Sequence, residues 1–121
     1  MNENCYTEYF LSLISQTLLL HWCTPKYSHH IALDKLLGKI QDHIDKFVEI
    51  YLAKYNKQPV KTFTINITAH SNCDDLVGYY NIQIENLKKI KTSLKSANEL
   101  QGIIEGMIAD IEQCIYLLKL D

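Results

Sequence analysis

The chain has 121 residues, 47% of them apolar and 21% charged, with only 4 Gly and 2 Pro; this predicts a single domain over residues 1–121 and excludes a disordered, collagen-like or linker-rich chain. Its 12 basic residues are all Lys and face 14 acids, for a net charge of −2. That balance disfavours a nucleic-acid partner, because the commonest specific base contact is a bidentate Arg–guanine pair.

No apolar run approaches the length of a bilayer span, and Met1-Asn2-Glu3-Asn4 lacks the basic and apolar stretches of a signal peptide. A cytoplasmic protein without a membrane partner is expected. The first helical pattern runs from about Asn4 to Cys23, where Tyr6, Tyr9, Phe10, Leu13, Ile14, Thr17 and Leu18 recur at three and four. Thr24-Pro25 stops it. The second runs from about Ser28, read as an N-cap, to about Tyr55. Residues 57–72 break the pattern. There Phe63, Ile65 and Ile67 alternate with Thr and Asn, which suggests an extended crossover. The third helix opens near Asp74-Asp75, acids suited to a helix N-terminus, and ends near Ser96. The fourth spans about Ala97 to Lys119, with Ser96 or Asn98 as its cap. Its Gly102, Gly106 and Ala109 leave room for a neighbouring helix. Short, long and short connections between four long helices predict an all-α fold, a ferritin-like four-helix bundle with a long crossover between helices two and three.

Cys5, Cys23, Cys73 and Cys114 form no Cys-x-x-Cys pair, which argues against a zinc ribbon or a dithiol redox motif and predicts reduced core thiols. The Lys clusters (Lys54, Lys57, Lys61 and Lys88, Lys89, Lys91, Lys95) read as solvated faces. Tyr79, Tyr80 and Tyr116 read as core and interface, and His29 and His43 as surface histidines.

On a wheel of the second helix with His30 at zero, Leu33, Leu36, Ile40, Ile44, Phe47 and Tyr51 fall in a core stripe at about 240–360°. Lys35, Lys39, Asp42 and Lys46 form the opposite, solvent face. Between them lie His30, Asp34, Asp45 and Glu49, together with Gly38 and Gln41, within about 100°. His30-x3-Asp34 and Asp45-x3-Glu49 are each i,i+4 pairs whose side chains can share a metal. The two pairs lie about 22 Å apart along the axis, so one helix cannot bring them to one ion. An antiparallel copy crossing near Gly38–Gln41 would, giving two equivalent sites in a two-fold homodimer. Mixed His and carboxylate donors suit iron, with zinc or manganese as substitutes. Surface carboxylates flanking a core stripe would produce the same pattern, and His21-Trp22 would equally suit an ordinary helix end packed on the bundle.

His21-Trp22 closing the first helix, followed by His30-x3-Asp34 and Asp45-x3-Glu49, resembles the Dps-like mini-ferritins. The run from His21 to Tyr55, with Thr24, Tyr27 and Ile44-Asp45-Lys46-Phe47-Val48-Glu49, and the closing Ile115-Tyr116-Leu117-Leu118, is most similar to an uncharacterised Dps-like group carried by bacteriophages and large viruses. The resemblance implies ferroxidase sites at a two-fold interface, with His21, His30 and Asp34 as iron ligands from one subunit and Asp45 and Glu49 from its partner. It implies self-association, at least as a dimer and in many relatives as a larger cage. The chain departs from that family in a shorter link between His21 and His30, and in the extended Phe63–Thr68 where a short helix is usual. The alternative expectation is a non-catalytic bundle serving as a binding or assembly module of a phage or virus.

Overall fold

The computed structural model describes residues 6–59 and 61–120. Four α-helices pack about one core, and no strand occurs among the described residues: α1 (Tyr6–Cys23), α2 (Tyr27–Lys54), α3 (Cys73–Ser93) and α4 (Asn98–Lys119). The expected start of the first helix at Asn4, like Cys5, lies outside the described residues. The core draws on every helix, with Phe10, Leu20, Leu33, Ile40, Phe47, Leu76, Tyr80, Leu87, Leu100, Met107, Ile111 and Leu118 all fully enclosed. These residues recur at three and four along each helix, so burial of one apolar stripe per helix holds the assembly together.

Local chemistry sets the helix ends. Pro25 disfavours helical backbone at Thr24, so α1 stops at Cys23, and the Thr24 N–H donates to the Leu20 carbonyl at 3.1 Å. The N-cap of α2 is Lys26 rather than Ser28, in extended conformation and without a side-chain cap bond. The helix resumes as soon as the chain has left Pro25, before Ser28 can act. α2 ends in a Schellman motif. Asn56 takes the left-handed conformation at φ 52°, the Lys57 N–H reaches back to the Leu52 carbonyl at 2.9 Å, and the Asn56 N–H reaches Ala53 at 3.4 Å. Asn tolerates that conformation better than other side chains with a Cβ. Asn72 caps α3, accepting from the Asp75 N–H at 2.8 Å. The cap of α4 is Ala97, which makes no side-chain bond, rather than Ser96 or Asn98.

Named contacts fix the helix directions. Tyr6 and Phe10 meet Phe47, and His21 meets His30, so α1 and α2 run antiparallel. His29 reaches Leu118, His43 reaches Asp110 and Lys54 reaches Glu99, so α2 and α4 are antiparallel as well. Hydroxyls tie α1 to α3, with the Tyr80 OH donating to Thr17 Oγ1 at 2.9 Å and Tyr6 OH bonded to Ser93 Oγ at 2.6 Å. The described residues between α2 and α3 form neither helix nor strand. Gln16, 4% exposed, clamps this segment to α1: its Nε2 donates to the Thr68 carbonyl at 2.5 Å and its Oε1 accepts from the Thr68 N–H at 2.8 Å.

Of the thiols, Cys114 is buried in the core, and burial pushes its pKa up to about 12. Cys23 and Cys73 are half-buried and free. Tyr80 is core as expected and Tyr79 is half-buried, whereas Tyr116 is 63% exposed. No helix among the described residues is long and apolar enough to cross a membrane.

Candidate metal centre

The turn between α1 and α2 brings the last turn of one helix against the first turn of the other. There the rings of His21 and His30 stack, with centroids 3.9 Å apart and planes 19° from parallel. Tyr27 lies beyond His30 at 6.3 Å. Each ring is bonded to the other residue's backbone: His21 Nδ1 donates to the His30 carbonyl at 3.0 Å, and His30 Nδ1 donates to the His21 carbonyl at 2.8 Å. A carbonyl oxygen only accepts, so both Nδ1 atoms carry hydrogen and the neutral rings keep their Nε2 lone pairs. Histidine ligands in metal sites are oriented in this way, with one ring nitrogen tied to a carbonyl and the other left for the ion.

Asp34 lies one turn beyond His30 on α2. Its Oδ1 is 3.9 Å from His21 Nε2, too far for a hydrogen bond, and its side chain is 66% exposed. His21, His30 and Asp34 therefore share one end of the hairpin. Asp45 and Glu49 are also exposed, but they sit further along α2, about 22 and 28 Å from His30. Asp45 edges a groove of about 430 Å³ between α1 and α2, floored by Phe10, Ile14, Ile44 and Val48. Among the described residues of one chain, no group of three or more His, Cys, Asp or Glu is placed to hold a metal ion. Gly38 and Gln41, between the two ligand pairs, are exposed, and a Cβ on Gly38 would meet nothing within 4 Å.

Of the two histidines read as surface residues, His29 is buried and His43 is half-covered. His29 is 1% exposed, and its Nε2 donates to the Leu118 carbonyl at 3.0 Å. Its wheel angle, about 260°, lies inside the core stripe, a signal present in the sequence. His43, at about 220° on the border of that stripe, is partly covered by α4. Its Nδ1 lies 2.6 Å from Asp110 Oδ2, and its ring rests on Gly106. A Cβ at 106 would come within 2.8 Å of His43 Nε2. Of the three small residues on α4, Gly106 is thus where a neighbouring helix needs the space. A Cβ on Gly102 would meet nothing within 4 Å, and Ala109 is exposed.

A family model described as "Family of unknown function (DUF5856)" matches residues 21–118, and the chain belongs to that family. The matched span opens on His21 and contains all five candidate ligands. No curated protein and no solved structure matches the chain.

Proposed function

We propose that this chain is a Dps-like, ferritin-like iron-binding protein that oxidises Fe(II) at sites shared between two copies. The observation that carries the reading is the reciprocal bonding of His21 and His30. It holds two imidazoles together in the tautomer that ligates through Nε2, beside the exposed carboxylate of Asp34. An antiparallel second copy of α2, crossing near Gly38–Gln41, would set its Asp45 and Glu49 against this group. The exposure of Asp34, Gly38, Gln41, Asp45 and Glu49 along one strip supports that contact. Neutral imidazoles would hold iron without adding charge, and the carboxylates would favour Fe(III) over Fe(II). Each Fe(II) gives up one electron, so two irons would reduce one molecule of hydrogen peroxide to two hydroxides. Zinc or manganese would suit the same donors.

The connectivity supports a ferritin-like bundle. His29 at the start of α2 and Cys73 at the start of α3 both reach Leu118, while Lys54 at the end of α2 reaches Glu99 at the other end of α4. The segment from α2 to α3 then returns along the bundle, as in ferritin-like folds. A second reading, a non-catalytic assembly module, is favoured by Trp22 and Tyr27, which are 67% and 77% exposed beside the histidines.

An anaerobic Fe(II) titration of the metal-free protein, followed by calorimetry, tests the proposal. We expect saturation near about one or two irons per chain. It should be lost in His30→Ala and in Asp45→Ala/Glu49→Ala while circular dichroism shows the helices intact. Binding no tighter than to serum albumin sinks the ferroxidase reading and leaves the assembly module.

A further inference from the structure

We propose that residues 62–68 form a two-stranded antiparallel pair with the same residues of a second copy, centred on Ile65. The first observation is the clamp on Thr68. Gln16 takes both the N–H and the C=O of that residue, as a neighbouring strand would. In extended backbone both groups of one residue point to one edge, and successive residues alternate between edges. The groups of Thr64 and Asn66 therefore share the edge that faces α1. Those of Phe63, Ile65 and Ile67 point to the opposite edge. Among the described residues, none of these three has a hydrogen-bond partner for its main chain. The path leaves room for extended backbone over 63–68, since the segment travels the length of α2, about 37 Å from Lys54 to Cys73, in 19 residue steps. That is about 2 Å per residue, beyond the 1.5 Å of a helix.

The second observation is the sequence of the free edge. Thr62-Phe63-Thr64-Ile65-Asn66-Ile67-Thr68 is nearly a palindrome about Ile65. In an isologous antiparallel pair Thr62 meets Thr68, Phe63 meets Ile67, Thr64 meets Asn66, and Ile65 meets itself. Thr–Thr and aromatic–β-branched pairs are among the favourable cross-strand combinations. With Thr68 on the edge facing α1, the residues of the opposite edge become the hydrogen-bonded pairs, Phe63 with Ile67 and Ile65 with Ile65. The side chains at 62–69 carry no charge, although exposed edges are usually guarded by Lys or Pro within the strand.

A free-standing two-stranded ribbon is marginal in water. Here the Gln16 clamp fixes one end of each strand at Thr68 before it meets its copy, which lowers the ordering entropy that opposes pairing. The contact is separate from the crossing of α2 near Gly38 and requires no metal.

Sedimentation equilibrium of the metal-free full chain tests the pairing with two proline variants. Ile67→Pro removes an N–H from the free edge. Asn66→Pro imposes the same backbone constraint, but its N–H points toward α1. Circular dichroism of both should match the wild type. We expect Ile67→Pro to weaken self-association at least about tenfold and Asn66→Pro to leave it within about twofold, the difference expected for losing two main-chain bonds per dimer. A wild type that stays monomeric, an Ile67→Pro variant that associates normally, or equal weakening by both prolines would overturn the proposal.

Discussion

Gly106 and Gly102 lie one turn apart on α4, and replacing each with Ala should move stability in opposite directions. In an open helical position the change from Gly to Ala gains about 0.5–1 kcal/mol from reduced backbone entropy in the unfolded chain. Gly102→Ala should gain that amount, since nothing lies within 4 Å of the new Cβ. At Gly106 the Cβ would come within 2.8 Å of His43 Nε2 and 3.1 Å of Cε1. Ordinary van der Waals contact requires the ring to retreat by more than half an ångström. It cannot do so while keeping its 2.6 Å bond to Asp110. A bond to a charged group is worth about 1.5–3 kcal/mol when shielded, discounted to about 1–2 here because the His43 side chain is 36% exposed. Gly106→Ala should therefore lose about 0.5–1 kcal/mol net, and the two variants should differ by about 1–2 kcal/mol in urea unfolding. In a His43→Ala background the obstacle is gone, and Gly106→Ala should become as favourable as Gly102→Ala. If Gly106→Ala stabilises the wild-type protein as much as Gly102→Ala does, the packing of His43 on α4 is wrong.

Further expectations concern titration and the α1–α3 contact. Burial holds the phenols of Tyr9, Tyr79 and Tyr80 above their usual range and the Cys114 thiol at about 12 against a usual 9.0. The folded chain keeps these protons where the unfolded chain releases them, so this contribution is complete below the usual values and is lost as pH rises. Chemical denaturation between about pH 10 and 12 should show stability falling by up to about 1.4 kcal/mol per pH unit for each phenol engaged, and a flat profile there refutes the burial of the phenols. The Glu99 carboxyl is held below its usual value by its own backbone N–H and then by Lys54, whose ammonium is raised mainly by its hydrogen bond to Glu99. The pair should stabilise the fold above the usual carboxylate range and lose its effect as pH falls through it, and at the alkaline end it should fade as Lys54 deprotonates. Glu99→Gln should flatten the acid limb of the melting-temperature profile, and an unchanged limb counts against the pair. Tyr80→Phe removes the partner of Thr17, which is fully buried, and should cost about 1–2 kcal/mol in urea unfolding. No loss would mean that Thr17 satisfies its hydroxyl elsewhere.

The helices are legible because their apolar stripes recur at three and four, and Pro25 marks an end by a steric rule that reads directly from residue type; the ends at Asn56 and Asn72 come from the structure. Caps without side-chain bonds, at Lys26 and Ala97, leave no such mark. The surface reading of His29 fails although its wheel angle falls inside the core stripe, whereas His43, on the border of that stripe, is half-covered because α4 closes over the flank, which a single-helix wheel does not show. At the candidate centre, residue spacing brings out His30 and Asp34, and resemblance adds His21. The reciprocal bonds between His21 and His30 end on carbonyl oxygens, which every residue carries, so no pattern of side chains encodes them.

Those bonds make the candidate ligands part of the scaffold. The His21 carbonyl belongs to the last turn of α1, where helical acceptors have no donor of their own, and the His30 ring supplies one. The imidazole of one helix is thus the end-stop of the other. A ligand that turned the His30 ring would release that carbonyl and fray α1 from its C-terminus, so amide exchange in the last turn of α1 would register occupancy of the neighbouring site. Lengthening the Thr24–Pro25 connection would have the same effect without any ligand, because the turn and the imidazoles are held by the same two bonds.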